Sequence, residues 1–316
     1  DSNDLQLNQT ILKYFSHRFR KYLKSYDIII GSGLAPLICY INRIKLNAFI
    51  PYGGDIRWLT KYSRLLKSKS LKQFFIDLFT TIFQIRGIKS CPNILMRKLN
   101  PSMMPQYIYK KFNVKDFTVP NLTPKYLLKK KEKKFSTKCY LLLCPTRHMW
   151  SDARLPSDKG QDILINGLFN YISNSNNRNF KVLFFEYGND VGKSKDLVNV
   201  LGIEDYVEWL PKTTPDKVYK EIQNADLILL EGASSCEWNS CHAQTIMANK
   251  PFIAYLDQES DIYPLSLNLK CEKFENLLDS FFQNPLAVTE EIKIRQKCLV
   301  SKYNESVKII TEIINN

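Results

Sequence analysis

Between residues 138 and 256 the chain alternates short apolar runs with segments of helical length, and this rhythm restricts the fold more than any other feature of the sequence. "KCYLLLCP" (138–145), "FKVLFFEYG" (180–188), "YVEWL" (206–210), "DLILLEG" (226–232) and "PFIAYL" (251–256) are short and apolar on both faces, as buried parallel strands are. Between them stand "KGQDILINGLFNYI", "SKDLVNVLGI", "PDKVYKEIQNA" and "NSCHAQTIMAN". Strand and helix in regular alternation predict βαβ units wound into a doubly covered parallel sheet. Two more helical stretches follow, "EKFENLLDSFFQN" (272–284) and an amphipathic segment over 290–314.

A sheet of this kind binds ligands at the carboxyl ends of its strands, so the loops after Leu143, Phe185, Leu210 and Leu230 are expected to share one crevice. The last of them gathers Glu231, Glu237, Ser240, Cys241, His242 and Gln244 ahead of a helix. Amides near Ser240 and Cys241 at that helix start are donors suited to a phosphate. Arg147 in "CPTRHMW" and Lys159 in "SDKGQDILINGL" both follow the first strand of this half. An Arg grips phosphate oxygens bidentately and a Lys acts as a point charge, so the pair fits a diphosphate and its stabilisation on departure. Each also has a plainer reading: a surface ion pair for Arg147, a helix-start charge for Lys159, a cap for Glu237 and a solvated helix position for Gln244.

The first half repeats the pattern more briefly. "SYDIIIGSG" (25–33) reads as a buried strand ending in a glycine turn, "LAPLICYINRIKL" (34–46) as a helix, and "NAFIPYGGDI" (47–56) as a strand ending in Gly-Gly and Asp55. From Lys61 to Ile85 a basic stretch continues into an aromatic helix, with Phe75, Leu78, Phe79, Ile82 and Phe83 on one stripe. That stripe fits a core-facing helix or one lying on an anionic membrane with its lysines at the headgroups. A short strand at Lys115 then gives way to a Pro-punctuated, Lys-rich connector ending near residue 138. The expected domains are 1–130, 131–290 and a terminal helix over 291–316 that crosses back to the first domain.

Charge follows the same division. Residues 1–130 hold 23 Lys/Arg against 6 Asp/Glu, and the remainder holds 22 against 25, within a net charge of +14. A basic first half points to an anionic partner, either nucleic acid or a membrane surface. No apolar run reaches the roughly 18 residues that span a bilayer. The eight cysteines are scattered without a CxxC pattern and read as reduced thiols in the cytosol. A zinc site built on Cys236, Cys241 and His242 lacks an evident fourth ligand.

The stretches "PTR…DKGQDILINGL", "LGIEDYVEWLPKTTPDKVYKEIQNADLILLEG" and "AQTIMANKPFIAY" resemble the donor-binding domain of the retaining glycosyltransferases of family 4, the glycosyl transferases group 1. "DIIIGSGLAPLICYINRIKLNAFIPYGGDI" is similar to the strand-helix-strand of that family's first domain, and "FTVPNL" to its hinge. The resemblance implies an α/β chain of the GT-B fold, with two Rossmann-like domains facing each other across a cleft. The N-terminal one is expected to be incomplete, because the chain opens on a helix where the family has a first strand and a Gly-rich loop.

The resemblance also implies a reaction and a set of roles. A sugar moves from a nucleotide diphosphate to an acceptor hydroxyl with retention, without a metal or resident cofactor. Arg147 and Lys159 neutralise the departing diphosphate. Either Glu237 or Glu231 orients the donor sugar, Gln244 contacts the ribose where the family carries a second glutamate, and Ser240, Cys241 and His242 lie near the donor phosphate. Tyr187, Gly188, Pro211 and Lys212 flank the base. Tyr52, where the family has a His, lies with Gly53, Gly54, Asp55 and His148 on the acceptor side of the cleft. The expected acceptor is lipid-linked or a polysaccharide, as in lipopolysaccharide or capsule assembly, at the inner face of the cell membrane.

Three other functions compete. A nucleotide-sugar epimerase needs an acid and a base at the anomeric carbon, which no residues clearly supply. A nucleic-acid binder fits the sequence pI of about 9.3 but lacks a stacking motif or a recognised module. A non-catalytic relative that still binds nucleotide sugars fits the Gln at position 244.

Overall fold

The computed structural model describes residues 17–51, 56, 60, 62, 65, 70–96, 106–116, 139–151, 158–175, 178–233, 240–255 and 268–315. The chain divides into two compact units, Asp1–Val119 with Glu305–Asn316, and Pro120–Asn304.

The first unit contains α1 (His17–Leu23), β1 (Ile30–Gly31), α2 (Ala35–Ile41), β2 (Ala48–Phe49), α3 (Leu71–Ser90), β3 (Leu95–Met96), α4 (Gln106–Phe112) and β4 (Lys115–Asp116). β1 and β2 pair in parallel, as do β3 and β4, and a parallel bridge from Phe49 to Ile94 links the two pairs. The ladder at β1 and β2 is shorter than the apolar runs predict. Side-chain bonding replaces it: Asn47 Oδ1 accepts the Ile29 N–H at 3.0 Å, and beyond β1 the chain turns at Gly33 with φ 61°. Leu46, Phe49, Ile88, Ile94 and Ile108 are buried together in the core of this unit.

Of the stripe on α3 read as core-facing or membrane-facing, Phe75 and Phe79 are turned outward, 59% and 37% exposed, with Leu71 73% exposed one turn earlier, while Leu78, Ile82 and Phe83 are half-buried. The buried side carries Asp77, Thr80, Thr81 and Gln84 together with Ile85, Gly87 and Ile88. The reason lies in α2, which begins without a side-chain cap. The Leu37 N–H near its start donates to Gln84 Oε1 at 3.2 Å, and Gln84 Nε2 donates to the Gly33 carbonyl at 2.8 Å. Gln84 therefore caps a neighbouring helix from the middle of its own, supplying an acceptor that the start of α2 lacks. Gly87 permits the approach, since a Cβ there would lie 2.1 Å from the Pro36 carbonyl oxygen.

The second unit matches the predicted alternation closely. It contains β5 (Tyr140–Cys144), α5 (Gln161–Asn174), β6 (Phe180–Phe185), α6 (Val191–Val200), β7 (Val207–Leu210), α7 (Pro215–Asn224), β8 (Leu227–Leu229), α8 (Ser240–Met247), β9 (Phe252–Ile253) and α9 (Phe274–Gln283). The last helix, α10 (Pro285–Asn315), passes into the first unit from Glu305 onward. Five parallel strands lie in the order β7-β6-β5-β8-β9. Alternate residues face opposite sides: Leu142, Cys144, Val182 and Phe184 pack under α5, α6 and α9, while Leu143, Leu183, Phe185 and Ile228 pack under α7, α8 and α10.

Two residues stand at joints of this unit. Asp226 is buried, its N–H donates to the Leu141 carbonyl at 2.7 Å, and its Oδ2 accepts the Leu141 N–H at 2.9 Å, so it locks the start of β8 to β5. Asn249 sits at φ 56° just beyond α8, a left-handed conformation that Asn tolerates better than most residues.

Helix capping by Gln84 makes a quantitative expectation. Gln84→Leu leaves the Leu37 N–H buried without its acceptor and lowers stability by about 2 kcal/mol, measured by chemical denaturation. A loss below about 0.5 kcal/mol, the scatter of an ordinary surface change, would show that the bond contributes nothing.

Candidate functional site

The strand order reverses direction at β5, which has β6 on one side and β8 on the other. Sheets of this kind take ligands at the carboxyl ends of the strands beside such a reversal, and Lys159, Glu231 and His242 converge at the ends of β5 and β8. Lys159 lies just before α5 and Glu231 just after β8. Lys159 Nζ donates to Glu231 Oε1 at 3.0 Å, with the lysine side chain 11% and the glutamate side chain 1% exposed. His242, in the first turn of α8 and fully buried, places Nδ1 3.4 Å from Glu231 Oε2.

Backbone geometry fixes this trio. The Gly232 N–H donates to the Lys159 carbonyl at 2.8 Å, the Tyr255 N–H to the Glu231 carbonyl at 2.7 Å, and the Lys159 N–H to the Met149 carbonyl at 2.7 Å. Gly160 has φ 59°, and a Cβ on it would lie 2.5 Å from the Ala233 nitrogen. A Cβ on Gly232 would lie 2.4 Å from the Gly160 carbonyl oxygen. These glycines let the lead-in to α5 lie against the end of β8, which is what brings the ammonium to the carboxylate.

The loop after β5 is held by residues that the sequence reading did not single out. Gln161, fully buried at the start of α5, donates to Thr146 Oγ1 at 2.9 Å and accepts the Met149 N–H at 3.2 Å. Asp190, just ahead of α6, accepts the Trp150 and Ser151 N–H groups at 2.8 and 3.1 Å and the Ser151 hydroxyl. Burial alone would raise the Asp190 carboxyl, but these donors and Lys193 hold it down at about 2. The available signal was an Asp directly before a helical run, a common N-terminal flank.

His148 belongs to the interior. Its ring is fully buried beside Phe184 and Trp209, both at 5.4 Å between centroids, and Nδ1 lies 2.8 Å from Ser194 Oγ. What it offers the loop is backbone: its N–H donates to the Tyr187 carbonyl and its carbonyl accepts the Asp190 N–H. Gly188, with φ 121°, is required beside it, because a Cβ there would lie 2.2 Å from the His148 carbonyl oxygen.

The other expected positions distribute as follows. Arg147 is exposed at the tip of the loop after β5. Tyr187 is 45% exposed and carries Lys212 Nζ 5.0 Å above its ring, which joins the loops after β6 and β7, and Pro211 is exposed beside it. Cys241 is half-buried with its sulfur 4.0 Å from the Pro145 carbonyl oxygen. Gln244 is buried in α8, which Ser240 begins. Tyr52, Gly53, Gly54, Asp55, Cys236 and Glu237 lie outside the described residues. Among the described residues, no group of three or more His, Cys, Asp and Glu side chains is arranged to hold a metal ion, and no helix is long and apolar enough to cross a membrane.

No protein-family model matches the sequence, and no curated protein matches it. Solved structures do. Anabaena HepE in complex with UDP superposes with a TM-score of 0.56 at 12% identity, over 93% of this chain and 81% of that one. WaaG, described as a glycosyltransferase involved in lipopolysaccharide biosynthesis, gives 0.55 at 16% identity over 92% and 80%. Sucrose-phosphate synthase from Thermosynechococcus elongatus gives 0.64 at 9% identity over 94% and 76%. The likeness at such identities is one of fold, and the chain has the GT-B fold.

The buried imidazoles set a pH dependence. Burial lowers His148 to about 4, against partial opposition from Asp190 and a Phe185 backbone contact, and burial lowers His242 as well, opposed by Glu231. The unfolded chain takes up these protons near pH 6.5 while the fold refuses them. Stability is therefore full above about pH 6.5 and falls as pH drops towards 4. His148→Phe is expected to flatten the fall in Tm between pH 7 and pH 4 relative to wild type, and an unchanged slope would show that His148 titrates normally.

Proposed function

We propose that the protein is a glycosyltransferase that moves a sugar from a nucleotide-diphosphate donor to an acceptor hydroxyl with retention at the anomeric carbon. The observation that carries this reading is the convergence of Lys159, Glu231 and the start of α8 at the strand reversal of the second unit. Directed donors at such a point suit a diphosphate, whose charge grows as the bond to the sugar breaks. HepE, of the same fold, binds UDP in its solved structure, and WaaG is described as a glycosyltransferase. These support the reading.

In this reading Lys159 and Arg147 stabilise the leaving diphosphate together with amides of α8, without a metal or resident cofactor. The loops that carry Tyr187 and Lys212 flank the base, and Gln244 lies towards the ribose. The donor-sugar carboxylate is Glu237 or Glu231. The acceptor is a lipid-linked sugar or polysaccharide used in cell-surface assembly, and the protein works at the cytoplasmic face of the membrane. Support for that location comes from α3, whose outward ridge of Leu71, Phe75 and Phe79 has Lys72 and Arg86 exposed on the same helix, in the half of the chain with the large basic excess. Aromatics flanked by cations suit an anionic lipid interface. A second reading, a nucleotide-sugar binder without turnover, is favoured by Gln244 in place of a glutamate.

Calorimetry with a panel of nucleotide sugars, UDP-glucose first, tests the main reading. One donor is expected to bind wild type, and Lys159→Ala to weaken it by about a hundredfold or more; Arg147→Ala, at an exposed position, should cost less. Binding without sugar transfer to any lipid-linked or polysaccharide acceptor supports the second reading, and absence of any nucleotide binding ends both. For the membrane, Phe75→Asp with Phe79→Asp should abolish sedimentation with phosphatidylserine vesicles and leave nucleotide affinity intact. Undiminished vesicle binding would remove α3 from the interface.

A further inference from the structure

The carboxylate of Glu231 stands behind the Lys159 ammonium, not in front of it. Glu231 keeps 1% of its side-chain surface and Lys159 keeps 11%, so the ammonium is the member of the pair nearer solvent. One ammonium proton goes to Glu231 Oε1 at 3.0 Å, and the ammonium has two further protons to donate. The second carboxylate oxygen faces His242 Nδ1 at 3.4 Å, and that imidazole is buried edge-on against Phe252. The backbones of Lys159 and Glu231 are tied through the Gly232 N–H, so the carboxylate cannot drift from the lysine stem.

Lysine reaches its charge through four rotatable carbons, and a charge free to wander is a poor stabiliser of a transition state. A fixed counter-charge removes that freedom. It also has an electrostatic consequence at rest, because an adjacent carboxylate cancels much of the ammonium's pull on an incoming anion.

We propose that Glu231 is the positioning residue of Lys159: it holds the ammonium in the direction from which a leaving diphosphate is met. This rests on the transferase reading of the site. It assigns Glu231 to the lysine and leaves the donor-sugar hydroxyls to another residue. The role carries a signature that a structural staple lacks. Removing the carboxylate frees the lysine charge, so a nucleoside diphosphate binds at least as well, while loss of direction slows transfer.

The test compares the full chain with Glu231→Gln, Lys159→Ala and the double variant, using UDP as the binding probe and the donor found to be active for turnover. Glu231→Gln is expected to bind UDP as tightly as wild type or up to about tenfold more tightly. Its kcat should fall about a hundredfold with no rise in KM. In the Lys159→Ala background the same substitution should leave kcat unchanged, because there is no ammonium left to direct.

Parallel loss of UDP affinity and kcat in Glu231→Gln would overturn the inference and leave the transferase reading standing, as would a wild-type kcat. A wild type that binds no nucleotide overturns the transferase reading and the inference with it. Should Glu231→Gln fail to fold, Glu231→Asp keeps the charge and withdraws it by one methylene. A reduced kcat at unchanged UDP affinity then supports the positioning role, and an unchanged kcat refutes it.

Discussion

A carboxylate with 1% of its surface exposed, as Glu231 has, must be compensated, and the carboxyl edge of the second unit follows from how that is done. An ion moved from water into protein costs several kcal/mol even after relaxation, and attraction to a partner offsets this only at good geometry. The partner is Lys159 at 3.0 Å. To reach it, the approach to α5 must run against the end of β8, which requires Gly160 and Gly232 to come within a distance that no Cβ allows. The same segment sends the Lys159 N–H to Met149, which draws in the loop after β5. Asp190, Ser194 and Gln161 then hold that loop from α5 and α6. One buried pair thus ties the loop after β5 to the end of β8.

The first unit meets the same kind of demand with neutral groups. Its α2 starts without a cap, and the missing acceptor is found on α3 at Gln84. Once Gln84 must face inward, the neighbouring turns place Asp77, Thr80 and Thr81 on that side too, and Phe75 and Phe79, one face away, are turned out. Polar groups that are satisfied can occupy an interior, whereas apolar groups can remain outside at modest cost. The result is a helix that buries Thr80, Thr81 and Gln84 beside Ile85 and Ile88 and leaves two phenylalanines outside.

Helix α3 marks the limit of what the sequence disclosed. Periodicity gave the elements of the second unit, because β5, β6 and β8 are buried on both faces and the helices between them have one apolar side. It also placed Lys159, Glu231 and His242 at one edge, since strand ends fix loop positions within a parallel sheet. In α3 periodicity identified the stripe but not its direction, as a stripe of Phe75 and Phe79 reads the same whichever side it faces. The direction depended on a hydrogen bond between residues 47 positions apart, Leu37 and Gln84. The pairing of Lys159 with Glu231 was equally hidden, because it needed two loops 72 positions apart to be closed by glycine contacts. His148 illustrates the converse: the family resemblance implied a residue on the acceptor side of the cleft, whereas its ring is buried beside Phe184 and Trp209.

The positive charge of the chain exists in two physically different forms. Most of the excess belongs to residues 1–130, with 23 basic side chains against 6 acidic, and much of it is carried on exposed positions such as Lys72 and Arg86. Charge of this sort acts over a Debye length of about 8 Å at physiological salt and fades as salt rises. Lys159 lies in a half of the chain with slightly more acid than base, and its ammonium is buried against a carboxylate that no solvent ion can replace. A partly buried charge pair of this kind is screened by salt much less than exposed charge is. On the proposed reading, attraction of the molecule to an anionic surface and recognition of a diphosphate beside Lys159 draw on separate residues, and a change in ionic strength is expected to act more on the first than on the second.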